Sequence, residues 1–128
     1  MSYYFAKTLA LGFDEATRLA TEALKREGFG IITEIDVRDT LKKKMNVDFR
    51  HYRILGACNP ALAHEALQIE DKVGTMLPCN VVVQDKGDGR VEVAAIDPVA
   101  SMQAIDNPRL RQAAEQVQAK LKTVIGSL

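Results

Sequence analysis

Two cysteine–asparagine dipeptides concentrate the chemistry that this sequence offers: Ala57-Cys58-Asn59-Pro60 and Pro78-Cys79-Asn80-Val81. Cys58 stands at a strand end, directly before Asn59, and Asn59 with Pro60 behind it reads as a helix N-cap. A thiol beside a helix N-terminus sees positive partial charge, which favours the reactive thiolate. Cys79 shares a strand face with Leu77, Val81 and Val83 and reads as an inert core thiol. His64 lies six residues after Cys58, on the following helix. A Cys–His pair can generate a nucleophile or begin a metal site. A metal needs three or four ligands, and one helix supplies two. No metal is therefore expected; Cys58, His64 and Cys79 are the residues that would hold one.

The carboxylates are the other group to weigh. Glu34 and Asp36 lie two residues apart on one strand face, a spacing that allows acid–base work. Asp36 and Asp97 each have a competing task as a helix cap, the latter in Asp97-Pro98. His51, between Arg50 and Tyr52, reads as lining a polar strand face. The sequence has no phosphate loop, dinucleotide fingerprint, Gly-x-Ser-x-Gly elbow, His-Glu-x-x-His pair or Cys-x-x-Cys pair. These absences point away from an enzyme of a recognisable class, and no cofactor is expected.

The chain that must position these groups has 128 residues, the length of one domain, 1–128. Its 17 basic and 17 acidic residues cancel, which argues against general nucleic-acid binding. No apolar run approaches a membrane span. Lys7, Asp14 and Glu15 interrupt any signal-peptide core, so a cytoplasmic location and two reduced thiols are expected. Charge is uneven: residues 38–53 carry a local excess of four positive charges, which reads as a solvated face or, more sharply, as a landing site for an anion.

Hydrophobic periodicity places the elements. Residues 2–9 read as a strand and 13–27 as a helix with Ala16, Leu19, Ala20, Ala23 and Leu24 on one face. Residues 29–37 alternate, which puts Phe29, Ile31, Thr33, Ile35 and Val37 on one buried face. A short helix from Asp36 to Met45 carries a stripe of Val37, Leu41 and Met45. Further strands are expected over 49–58, 75–84 and 90–97, with a helix over 60–70 and an Asp88-Gly89 hairpin turn. Asn107-Pro108 opens a final helix to Ile125 whose apolar seam suits packing on the sheet. The order is that of an α+β fold with one sheet and both long helices on one face.

The runs TEIDV (33–37), YRILGACNP (52–60), LPCNVVV (77–83) and AIDPVA (95–100) resemble the domain of unknown function 302 family, over almost the whole chain. The resemblance implies a β-α-β(4)-α fold, similar in shape to the TATA-binding-protein-like group, and a homodimer. It implies no established activity. The family's motif residues fall here on Thr33, Glu34, Asp36, Tyr52, Gly56, Cys58, Asn59, Pro60, Pro78, Cys79, Asn80, Asp97 and Pro98. Both histidines stand where other residues are common in the family, which weakens a Cys–His metal site.

Two functions from different classes follow. One is a homodimeric module that binds a small ligand between strand ends carrying Glu34, Cys58, Asn59, Cys79, Asn80 and Asp97, with apolar walls from Ile54 and Val81. The other is thiol chemistry, redox or metal-binding, on Cys58 and Cys79. A plainer reading makes the same motifs caps and turns that only build the fold.

Overall fold

The computed structural model describes residues 2–128. The chain runs β1 (Tyr4–Leu9), α1 (Phe13–Arg26), β2 (Gly30–Asp36), α2 (Val37–Met45), β3 (Tyr52–Cys58) and α3 (Pro60–Ile69). A 3-10 helix (Asp71–Met76), β4 (Cys79–Gly87), β5 (Arg90–Ile96), α4 (Pro98–Ser101) and α5 (Pro108–Gly126) complete it. The strands form a single open antiparallel sheet in the order β1-β5-β4-β3-β2.

Local chemistry fixes the element ends. The Asp36, Asn59, Asp97 and Asn107 carboxyl or amide oxygens accept from the backbone N–H groups of Asp39, Leu62, Val99 and Arg109 at 2.9, 3.3, 3.0 and 3.0 Å. Each such cap contributes about 1 kcal/mol. Proline follows the last three, where its missing N–H costs nothing. Between β4 and β5, Asp88 and Gly89 take φ of 56° and 73°, the paired positive values of a type I′ hairpin.

Alternation on the central strands buries Val81 and Val83 of β4, Val91, Val93 and Ala95 of β5, and Leu55 and Ala57 of β3 on one sheet face. Ala16, Ala20, Ala23 and Leu24 of α1 and Leu121, Val124 and Ile125 of α5 cover that face and complete one cluster. The alanine stripe of α1 lets the helix lie close on the sheet. A second, smaller cluster (Ala66, Val73, Met102, Leu110 and Ala114) joins α3, the 3-10 helix, the chain after α4 and the first half of α5.

The expected alternation of β2 does not hold. Ile31 pairs with Ala57 but Thr33 pairs with Gly56, so the register shifts between them, and Ile32 is the extra residue of a bulge. The bulge turns Thr33 and Ile35 to the face away from α1 and α5, while Ile31 stays on the covered face. Val37 already belongs to α2. The α2 stripe is not buried either: no α2 residue is, and Met45 is 66% exposed. β4 begins at Cys79, because residues 71–76 turn as a 3-10 helix.

On the uncovered face, direct cross-strand pairs Ile35–Ile54, Ile54–Val82, Val82–Ala94 and Ala94–Ala6 set one apolar row across all five strands.

Candidate functional site

One end of the sheet gathers the sequence motifs. There Gly30 pairs with Cys58 and Ala57 with Cys79. Asn59 starts α3 at this end, the 3-10 helix brings the chain back to Cys79, and Asp97 starts α4. Between the two apolar clusters, beneath the first half of α5, lies a cavity of about 290 Å³.

Its walls come from both clusters. Phe29, Ala57 and Cys79 belong to the main cluster, and Ala66, Met102, Leu110 and Ala114 to the second. The cavity is therefore the gap left where the two cores do not meet. Alanines at 63, 66, 113 and 114 leave between α3 and α5 the room that larger side chains would fill. Ile32 and Leu67 also line it and are 62% and 43% exposed, so the cavity reaches the surface beside them. Apolar cavities of about 150 Å³ accept benzene, so this one has room for about ten non-hydrogen atoms.

Polar groups in the lining are few. Among the described residues no charged side chain lines the cavity, and Asn59 is its one amide. The Asn59 Oδ1 is occupied as the α3 cap, while its Nδ2 makes no hydrogen bond to another described residue. Cys58 is half-buried; Cys79 is buried, and both thiols are free. Burial, with a smaller contribution from the neighbouring Cys58, pushes the Cys79 thiol up from 9.0 to about 11, so it is protonated at neutral pH.

Of the six expected ligand-binding residues the structure brings Cys58, Asn59 and Cys79 into the cavity lining. Glu34 stands toward the other end of β2, where Arg53 approaches it at 3.2 Å and Asp36 at 3.8 Å. Asn80 is exposed and pairs with Gly56. Asp97 caps α4 and accepts from the Gln118 amide at 3.1 and 3.2 Å, behind the lining residue Pro98. The expected walls are corrected. Val81 is sealed in the main cluster and Ile54 lies on the opposite sheet face, paired with Ile35 and Val82, so neither lines the cavity.

His64 is exposed on α3 and outside the lining. Among the described residues no group of three or more His, Cys, Asp or Glu stands close enough to hold a metal ion. Within the basic segment Lys42 pairs with Asp48 and Lys43 with Asp39, each at 3.0 Å, and Arg50 stacks on Phe49 and Tyr52, while Arg53 reaches acids outside the segment, Glu34 and Asp36, so most of the local positive excess stands. Exposed pairs of this kind contribute about 0–1 kcal/mol each, as a solvated face does.

Periodicity puts Leu110, Ala114 and Val117 in the apolar seam of the last helix but assigns the seam to packing on the sheet, and it does not single out Met102 or Ala113 of the same wall. The signal was present in the adjacent Ala113-Ala114 on the buried side of α5, where a helix face that must fill space carries small residues.

The family model described as "Domain of unknown function DUF302" matches residues 5–128. A crystal structure described as an uncharacterized conserved protein DUF302 from Bacillus stearothermophilus is similar at 27% sequence identity, with a TM-score of 0.90, covering 98% of each chain. No curated protein matches this chain. No helix among the described residues is long and apolar enough to cross a membrane.

Proposed function

We propose that this chain, which belongs to the DUF302 family, binds a small, predominantly apolar molecule in the cavity between its two hydrophobic clusters. The observation that carries the reading is the lining: an apolar space of about 290 Å³ reaching the surface, with a single amide, Asn59, and the thiols of Cys58 and Cys79 as its polar side chains. Such a site gains affinity from burying apolar surface and orients its ligand through few polar contacts. The ligand is a linear or monocyclic molecule of about ten non-hydrogen atoms with one hydrogen-bond acceptor. The expected roles of Glu34, Asn80 and Asp97 are narrowed: Asp97 holds α4 and α5 in place, and Glu34 and Asn80 act away from the ligand.

The test uses 2-nonanone, a saturated ketone of this size, followed by nuclear magnetic resonance of the uniformly labelled protein. Saturable shifts of amides around Cys58, Ala66 and Ala113, lost in Ala63→Phe, support the reading. Absence of saturable shifts, or shifts unchanged by Ala63→Phe in a folded variant, sinks it.

The same reading takes the protein as a homodimer. The row Ile35–Ile54–Val82–Ala94–Ala6 supports this, since an apolar row across an uncovered sheet face suits burial against a second copy. Sedimentation should give twice the chain mass, and Val82→Lys should return it to the chain mass. A wild-type protein sedimenting as a monomer at high micromolar concentration rejects the dimer.

A further inference from the structure

Cys58 and Asn59 are consecutive in the chain and both line the cavity, one a thiol and the other an amide whose Nδ2 has no acceptor among the described residues. Resting on the cavity reading above, we propose that the site captures apolar α,β-unsaturated carbonyl compounds covalently, with the Cys58 sulfur as nucleophile and the Asn59 amide as donor to the carbonyl oxygen.

The chemistry balances without a co-reactant. The Cys58 Sγ adds to the β-carbon of the enone, and the π electrons of the C=C bond move toward the carbonyl oxygen as an enolate. The Asn59 Nδ2–H stabilises that developing charge. The thiol proton ends on the α-carbon; nothing leaves and nothing is oxidised. The product is a thioether that keeps its carbonyl.

Three observations favour this chemistry over other uses of the thiols. The apolar lining selects a hydrocarbon tail and holds it beside the sulfur, which replaces a bimolecular encounter with an effectively intramolecular one. Cys58 is the more accessible of the two thiols, whereas Cys79 is buried and held protonated. The absence of a charged residue from the described lining leaves neutral electrophiles as the class that enters without a desolvation penalty.

The experiment compares trans-3-nonen-2-one with trans-3-penten-2-one. They share the reacting head and differ by four methylenes. Intact-mass spectrometry should show one adduct per chain, mapped to Cys58 and absent in Cys58→Ser. The longer enone should react at least about tenfold faster, since each buried methylene favours binding by roughly fourfold. Asn59→Ser, which keeps a cap oxygen but removes the amide donor, should shrink the rate for the long enone severalfold. Equal rates for the two enones, or an adduct that maps elsewhere, overturn the proposal. If 2-nonanone binds Cys58→Ser saturably while wild type shows no tail-length dependence, covalent capture fails and the cavity reading stands. If 2-nonanone does not bind at all, both fail.

Discussion

Gly56 and Thr33 face each other across the β2–β3 pair so closely that a Cβ on Gly56 would lie 2.0 Å from the Thr33 Oγ1. The same Cβ would meet the Pro78 Cγ at 2.7 Å. The threonine hydroxyl and the proline ring thus occupy the space that any other residue at 56 would need. Gly56→Ala is expected to destabilise the protein by about 1–3 kcal/mol, the usual range for overpacking. Thr33→Ala in that background should restore only part of the loss, because the Pro78 contact remains. Urea unfolding of wild type and the two variants checks this; a wild-type midpoint for Gly56→Ala would contradict it.

Burial of Cys79 makes folding sensitive to alkali. Its thiol is pushed up to about 11 in the folded protein against 9.0 when exposed. Between those values the unfolded chain loses the proton while the folded chain keeps it. The stabilisation is complete below about pH 9 and is lost as pH rises toward 11. The loss attributable to this thiol is of order 2–3 kcal/mol. Lysines and tyrosines also titrate in this range, so the measurement is a difference: urea midpoints at pH 8 and pH 11 for wild type and Cys79→Ala. Wild type should lose more stability than the variant over that interval. Parallel losses would mean that water reaches the sulfur.

Asn59 links the fold to the cavity through one oxygen. Asn59→Ala removes the acceptor for the Leu62 N–H and should cost about 1 kcal/mol, with Asn59→Ser costing less. α3 carries Leu62, Ala63, Ala66 and Leu67 of the cavity lining. Loosening its first turn should therefore weaken 2-nonanone binding in Asn59→Ala beyond the effect seen in Asn59→Ser. Thermal unfolding and the ketone titration, run on both variants, separate the cap from the donor.

Different physical causes decided what could be read before the structure. Caps and prolines act within four residues, so Asp36, Asn59, Asp97 and Asn107 announced their helices directly. The Asp88-Gly89 turn is equally local. The β2 bulge is not: Phe29 to Val37 alternate without a break in the sequence, and only pairing with β3 shows that Ile32 is the extra residue. The cavity is less local still. It exists because two apolar clusters, assembled from residues as distant as Phe29 and Ala114, stop short of each other. Motifs pointed to the sheet end where the cavity lies, through Cys58, Asn59 and Cys79. They could not show that Glu34 is taken by Arg53 or that Asn80 faces outward.

Asp97 shows how a cap is enlisted to hold two helices together. Its carboxylate accepts from the Val99 and Ala100 backbone and, from α5, from the Gln118 side chain at 3.1 Å. Its own backbone N–H donates to the Tyr3 carbonyl at 2.8 Å, which ties the start of β1 to the same corner. Substituting Asp97 by Ala removes the cap and the inter-helix bond together; Gln118→Ala removes the bond alone. Asp97→Ala should cost about 1–3 kcal/mol, since hydrogen bonds to a charged acceptor exceed neutral ones. Gln118→Ala should cost about 1 kcal/mol. The double variant should be more stable than the sum of the single losses allows, by a coupling of about 0.5–1.5 kcal/mol. Strict additivity in urea unfolding would mean that the bond contributes nothing. The attachment of α4 to α5 would then rest on the packing of Pro98 against the first half of α5, where the same residues line the cavity.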